Sequence, residues 1–211
     1  MKEMRKVTVW KMMKLMLYLL SVGLATNLYA LKLDAGHDAA LPAPGWERLG
    51  AKQIYKPGQN KFGWEKVWGH GSGDSKSGNV SESAIAAEKP GTDGTLIVEL
   101  PDGAYYVTVQ VGCPIPTEGR TGQCVEINGK PVLPPPGVGA WGKMFKKLLP
   151  AIVENGKMRI RFFTAGNEPT QRLYLLALEI TPASTPAEEE QIRTEWKNVD
   201  SQKTGEQPAI K

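Results

Sequence analysis

The sequence is poor in the residue types on which many catalytic and metal sites depend. Its 211 residues include only two histidines and two cysteines. A zinc site is disfavoured because no second Cys or His pair lies at ligand spacing. No long stretch shows a convincing helical period, and no internal repeat is present. A basic excess, the usual sign of nucleic-acid binding, is also missing once the first thirty residues are set apart.

Residues 1–30 have the three parts of a secretory signal peptide. A short basic region ends at Lys14, an apolar run continues to Ala25, and the segment closes on the small residue Ala30. The run is shorter than the roughly 20 residues that a membrane-spanning helix needs; an uncleaved N-terminal anchor is the alternative. The chain carries 26 basic and 22 acidic residues, of which this segment holds five and one, so the remainder is balanced at 21 each. We expect a secreted, periplasmic or cell-envelope protein without a membrane span after cleavage and without nucleic-acid binding.

The C-terminal residues 181–211 are rich in Pro, Ser, Thr and Glu and have little apolar periodicity. They predict a polar linker or disordered tail, in which residues 187–197 could form a short helix. Residues 31–180 then remain as one domain of ordinary size, long enough to bury a core.

The two cysteines, Cys113 and Cys124, lie on either side of the loop-like sequence PIPTEGRTGQ. In an exported protein, an even pair that closes a short loop predicts a disulfide. The alternative is two buried free thiols.

Most of the domain has the patterns of short β-strands. Residues 104–112 (AYYVTVQVG) alternate apolar and polar side chains after the turn Pro101-Asp102-Gly103, as in a half-buried strand. Asn128-Gly129 and Asn155-Gly156 each separate two apolar runs, the strongest short hairpin signal. Many short strands with turns between them predict an all-β fold, an antiparallel β-sandwich or jelly roll.

Two segments are less clear. Residues 131–137 (PVLPPPG) indicate a rigid loop between strands, or a polyproline segment that binds a partner. Residues 141–149 (WGKMFKKLL) fit a helix face or a strand; Gly142 and the neighbouring hairpin favour the strand.

An ordered set of short motifs resembles a known family. The set comprises LKLDAG at 31–36, PGW at 44–46, FGW at 62–64, VELPDGAY at 98–105, NGKMRI at 155–160 and LALEI at 176–180. It is similar to the galactose-binding-like β-sandwich at the N-terminus of rhamnogalacturonan acetylesterase-type enzymes and polysaccharide lyases, and to malectin-like domains. The resemblance implies a jelly roll that binds glycans or serves as a non-catalytic accessory to a hydrolase. Here the polar tail follows in place of a catalytic domain.

Aromatic residues beside glycine-rich loops are candidates for sugar binding, because Trp and Tyr offer flat apolar faces to sugar C–H groups. The best platform candidates are Trp68 and Trp141, whereas Trp46 and Trp64 fit core positions better. Polar residues of the loop after Trp68 would fix sugar hydroxyls: His70, Asp74 and Asn79. The alternative for this loop is a flexible, solvated connection.

Asp34 on the first strand and Glu179 on the last could meet across neighbouring strands. Related sandwiches often hold a structural calcium near such strands, so the resemblance implies calcium at this pair. Calcium takes six to eight oxygen ligands, and only these two carboxylates can be named; surface carboxylates without a metal are the alternative.

These observations predict a secreted, non-catalytic carbohydrate-binding or accessory module that recognises a polysaccharide. The alternatives are a structural or adhesive envelope protein that binds a protein partner, with the tail taking part, and a polysaccharide-degrading esterase or lyase. Gly73-Asp74-Ser75 resembles the nucleophile motif of an esterase. An esterase is nevertheless disfavoured, because the Asp34–His37 pair precedes this serine rather than following it. We therefore expect no catalytic residues.

Overall fold

The computed structural model describes residues 30–36, 38, 41–73, 83–87, 92–112, 122–138, 144–164 and 173–201. The predicted signal peptide up to residue 29, Cys113, Asp74, Asn79 and Trp141 lie outside these residues. The described parts form twelve strands and one helix: β1 Leu31–Gly36, β2 Glu47–Gly50, β3 Phe62–Trp64, β4 Gly69–Gly73, β5 Ser83–Ala87, β6 Gly94–Glu99, β7 Gly103–Gly112, β8 Gln123–Ile127, β9 Lys130–Val138, β10 Met144–Val153, β11 Lys157–Thr164, β12 Tyr174–Pro182 and α1 Pro186–Ser201.

The strands make two sheets that pack face to face. In the seven-stranded sheet the main order is β10-β7-β12-β1-β2, with β5 pairing with β12 and β4 pairing with β5. The five-stranded sheet has the order β3-β6-β11-β8-β9. The strand pairs are antiparallel except β1 with β2, which is parallel. The predicted all-β sandwich is therefore confirmed.

The side chains that form the core come from the alternating apolar positions of the strands. On β7 the side chains of Tyr105, Val107, Val109 and Val111 are buried between the sheets, while the residues between them are partly exposed. Alternate residues of β11 are likewise buried, from Met158 through Phe162. Each strand thus buries one face against the opposite sheet, as two-residue periodicity requires.

Both Asn-Gly pairs form the predicted hairpin turns. Asn128 and Gly129 have φ values of 47° and 82°, and Asn155 and Gly156 have 64° and 72°. Two consecutive positive φ angles are what a type I′ turn requires, and Asn and Gly tolerate them best. The turns join β8 to β9 and β10 to β11.

The proline-rich segment is a strand, not the loop that the sequence indicated. β9 runs through residues 130–138 and lies at the edge of the five-stranded sheet. Proline lacks an N–H donor, but an edge strand needs donors on one side only. Residues 144–149 also belong to a strand, as the neighbouring hairpin favoured.

The expectation of a disordered tail from residue 181 is wrong as far as residue 201. Strand β12 continues to Pro182, and α1 follows after three residues. Thr185 Oγ1 accepts a hydrogen bond from Glu188 N at 3.2 Å, while the Glu188 carboxylate accepts bonds from Ser184 N and Oγ at 2.7 and 2.6 Å. With Pro186 as the first helical residue, this is an N-terminal capping arrangement.

Helix α1 packs on the outer face of the seven-stranded sheet. Ile192 is fully buried against Ala104 and Ile152, and Trp196 packs at the side of this cluster. The short helix that the sequence allowed at residues 187–197 lies within α1. Its polar composition is compatible with docking, because a helix that rests on a sheet needs only one apolar stripe. Within the described residues, no helix has the length and apolar character needed to cross a membrane.

Candidate functional site

The candidate site is an open cleft of about 690 Å³ beside the two Asn-Gly turns and α1. This volume lies in the usual range for small-molecule sites. Residues from both sheets, from the loop before β3 and from the helix line it: Tyr55, Ile97, Asn128, Lys130, Ile152, Glu154, Asn155, Lys157, Arg159 and Trp196.

Two isoleucines supply the apolar part of the cleft. Ile97 lies between the core residues Leu96 and Val98 of β6, so its side chain is on the outer face of the five-stranded sheet. Ile152 lies in the same way on the outer face of the seven-stranded sheet and also contacts α1. Both are almost fully buried. Residues from the outer faces of both sheets therefore line the cleft.

Asn128 fixes the relative position of the two turns. Its Nδ2 donates to Ile152 O at 2.8 Å, and its Oδ1 accepts a hydrogen bond from Arg159 N at 2.8 Å. The same side chain therefore bridges β10 of one sheet and β11 of the other. Because these bonds reach backbone atoms, they hold the cleft in place without a ligand.

Aromatic rings flank the cleft, and each has a lysine ammonium near it. Lys157 Nζ lies 5.5 Å from the ring centroid of Tyr55, and Lys130 Nζ lies 4.8 Å from that of Trp196. The Tyr55 hydroxyl donates to the Glu99 carboxylate, which is the main reason that the pKa of Tyr55 is raised. Both aromatic residues are partly exposed.

The polar lining offers more donors than acceptors. Lys130, Lys157 and Arg159 are the lining cations, and Glu154 is the lining carboxylate. Arg159 is already paired with Glu65, at 2.8 Å. A ligand would thus meet lysine ammonium groups, one carboxylate and the Asn155 amide around an apolar floor.

Trp68 is a core residue rather than the exposed platform that the sequence indicated. Only 1% of its surface is exposed. Its ring centroid lies 4.5 Å from that of Trp64 and 6.2 Å from that of Phe162, and its Nε1 donates to Thr92 O at 3.4 Å. A sugar cannot stack on a ring whose faces are already covered by neighbours. The core position expected for Trp64 is confirmed.

The other predicted ligand residues are not brought together by the described structure. His70 is exposed on β4, where it lies opposite Ala86 of β5, and it does not line the cleft. Asp74, Asn79 and Trp141 fall outside the described residues, so their role stays a prediction. Sequence reasoning missed Trp196, although its spacing from the apolar Ile192 and Val199 was a helical signal.

Asp34 and Glu179 lie on adjacent strands, but their surroundings fit calcium poorly. Glu179 is paired with Lys32, directly opposite it, at 3.4 Å. Asp34 is buried, and its Oδ2 lies 3.3 Å from Arg48 Nη2 and accepts a bond from Ala43 N. A guanidinium at this distance repels a divalent cation. The described residues contain no cluster of three or more His, Cys, Asp or Glu side chains for a metal, so calcium here stays a prediction.

Cys124 is a buried free thiol. Burial raises its pKa to about 11, because the thiolate would lose hydration. Its Sγ lies 3.7 Å from Gly122 O. The disulfide with Cys113 stays a prediction, since Cys113 is outside the described residues.

Comparisons with known proteins find the fold but no family. No protein-family model matches, and no curated protein matches. The protein YxiM of Bacillus subtilis is similar in structure, with a TM-score of 0.55 and 19% identity over 74% of this chain and 40% of its own. The ANXUR2 extracellular domain of Arabidopsis thaliana has a TM-score of 0.54 and 14% identity over 74% of this chain and 49% of its own.

The β-glucuronidase of Bacteroides uniformis is also similar, with a TM-score of 0.52 and 13% identity over 75% of this chain and 19% of its own. This chain thus spans less than half the length of each structure. At such low identity the likeness establishes the fold alone.

Proposed function

We propose that this protein is an exported, non-catalytic carbohydrate-binding module and that the cleft beside α1 is its glycan site. The observation that carries the proposal is the pairing of two partly exposed aromatic rings, Tyr55 and Trp196, with polar side chains around an apolar floor. This is the combination that the apolar C–H faces and the hydroxyl edges of a sugar need.

The polar groups suit hydroxyl and ring oxygens. Lys130 and Lys157 are donors, while Glu154 and the Asn155 amide can accept from sugar hydroxyls. The cleft is open, so it covers a ligand incompletely. We expect dissociation constants in about the millimolar-to-micromolar range.

The lining supports binding rather than glycoside hydrolysis. Hydrolysis of a glycosidic bond ordinarily uses two carboxyl groups about 5 to 9 Å apart. Glu154 is the one carboxylate among the lining residues. Glu99, close by, is bound to the Tyr55 hydroxyl.

The test is a glycan array of plant, algal and bacterial polysaccharides with the purified protein, including α1. Binding that Tyr55→Ala or Trp196→Ala reduces by about tenfold or more would locate the site in the cleft. Trp46→Ala is the matched control, because Trp46 is also partly exposed but lies just before β2, outside the lining. If no glycan binds, or if only Trp46→Ala reduces binding, the proposal is wrong.

A second candidate function is binding of a protein partner. Met144 and Leu148 are 46% and 61% exposed on β10, the edge strand of the seven-stranded sheet. An edge strand with exposed apolar side chains offers a surface on which another chain can pair. A partner that binds the wild type and is lost by Leu148→Asp, but not by Lys146→Asp, would favour this function.

A further inference from the structure

We infer that α1 is a movable wall of the cleft, so that docking of the helix and binding of a ligand are coupled. The inference rests on the proposed glycan site and concerns its regulation. In this view the sandwich alone has half a site, and the helix completes it by bringing Trp196 to the lining.

The helix and the cleft share the same side chains. Ile152 lines the cleft and also packs against Ile192 of α1. Trp196 lines the cleft from the helix, and Lys130 Nζ lies 3.4 Å from its backbone oxygen. A shift of the helix would therefore change both the wall and the floor of the cleft.

The helix docks through one apolar stripe. Ile192 and Val199 are its buried apolar residues in the described structure, and Trp196 is partly exposed. Side-chain hydrogen bonds from the sandwich join Tyr106 of β7 to Glu195 at 3.2 Å and Lys130 of β9 to the Trp196 backbone oxygen at 3.4 Å. An isolated helix of this length is marginal in water, so α1 depends on docking and is expected to open at lower free energy than the sandwich.

A ligand that contacts Trp196 in the docked state binds that state better than the open state. The ligand must therefore shift the equilibrium toward the docked helix. By linkage, opening of the helix must lower the affinity for the ligand. The size of such coupling is typically about fivefold to 150-fold in affinity.

The first test uses the full chain with Ile192→Asp, which places a charge in the docking interface. The matched control is Glu190→Ala, since Glu190 is exposed on the same helix. The probes are cellohexaose, xylohexaose, mannohexaose and galactotetraose, together with any polysaccharide that binds on the array. We expect Ile192→Asp to weaken binding at least fivefold with the sandwich still folded by circular dichroism, and Glu190→Ala to bind as the wild type does.

The second test needs no variant. Hydrogen–deuterium exchange of the α1 amides is measured with and without a saturating amount of the probe that binds. Slower exchange in α1 supports the coupling, whereas unchanged exchange overturns it even when binding occurs. If no probe binds the wild type, the proposed function fails, and the coupling that rests on it fails too. If a probe binds while exchange in α1 is unchanged, only the coupling fails, so the two failures are distinguishable.

Discussion

Lys130 Nζ lies 4.8 Å from the ring centroid of Trp196 and 3.4 Å from its backbone oxygen. The first residue of β9 is thereby joined to the last turns of α1, far apart in sequence. Through this contact the edge of the five-stranded sheet, not only the sheet beneath the helix, takes part in docking α1.

We expect Lys130 and Trp196 to be energetically coupled. A cation beside a partly exposed indole contributes about 0.5–1 kcal/mol. The variants Lys130→Met, Trp196→Leu and their combination form a double-mutant cycle, with helix opening followed by hydrogen exchange. Lys197→Met is the control, because Lys197 is exposed on the same helix. If the two single variants lower the free energy of helix opening by amounts that add up to the effect of the double variant, the contact contributes nothing to docking.

Gly94 is required for the packing of Trp68. A Cβ at Gly94 would lie 2.4 Å from atoms of the Trp68 ring, whereas a Cβ at Gly103 would come no closer than 3.6 Å to Tyr105. We expect Gly94→Ala to lower the free energy of unfolding by about 1–3 kcal/mol through overpacking. Gly103→Ala should change it little. Urea denaturation measures both, and equal effects would mean that Trp68 is not confined as described.

The fold was predictable because its signals are local. The alternation of β7 and the two Asn-Gly turns need only a few neighbouring residues to be recognised. The same local patterns could not show which aromatic rings are exposed. Trp68 stands beside glycines and polar residues in the sequence, yet it packs on Trp64 and Phe162, which other strands bring to it.

The cleft was not predictable for a related reason. Its walls come from residues 55 to 196, and only the closed sandwich brings them together. Trp196 lies in a segment that the sequence predicted as a polar tail in which residues 187–197 could form a short helix. Thr185, Pro186 and Glu188 form a capping sequence. That sequence could have identified the start of the helix, but not the surface on which it docks.

Cys124 should be inert in the folded protein. Its side chain is buried and its pKa is about 11, so very little thiolate is present at pH 8. We expect iodoacetamide to modify Cys124 only after unfolding in urea, as mass spectrometry can measure. If unfolded protein reacts at Cys124 only after a reductant is added, the disulfide with Cys113 that the sequence predicts is present instead.

The start of α1 should weaken in acid. Hydrogen bonds from Ser184 lower the pKa of Glu188 below its usual value of 4.5. A lowered pKa in the folded state means that the charged carboxylate stabilises the fold above the unfolded pKa and that this effect is lost as the pH falls through the folded value. We expect weaker protection of the α1 amides, after correction for the intrinsic pH dependence of exchange, below about pH 4.5, and a smaller pH effect in Glu188→Gln.

Thr185→Ala tests the same cap without a charge. Loss of an N-cap side chain costs about 1 kcal/mol, and this loss should not depend on pH. Thr194→Ala is the control, since Thr194 is exposed in the middle of the helix. Equal exchange in the two variants would contradict the capping role of Thr185.

Arg48 should stabilise the folded protein, because it compensates the buried negative charge of Asp34. Asp34 is 1% exposed, and its Oδ1 has no hydrogen-bond partner among the described residues. Burial raises the pKa of Asp34, while the bond from Ala43 and the charge of Arg48 oppose that rise. Removing one partner of a buried ion pair costs about 3–5 kcal/mol, so we expect Arg48→Met to lose stability of this order at pH 7. Lys32→Met, which removes the partner of the more exposed Glu179, should cost about 0–1 kcal/mol.

The sign of the pH dependence identifies the cause of this loss. Because the pKa of Asp34 is raised in the folded state, its ionisation costs stability above that pKa, and protonation relieves the cost as the pH falls. The loss of stability in Arg48→Met should therefore shrink in acid, and Asp34→Asn should rescue it at pH 7.

The same proteins test calcium binding. With Arg48 in place, we expect that added calcium does not raise the melting temperature. A calcium-dependent rise that Asp34→Asn abolishes would instead favour the calcium site that the sequence predicts at this strand pair.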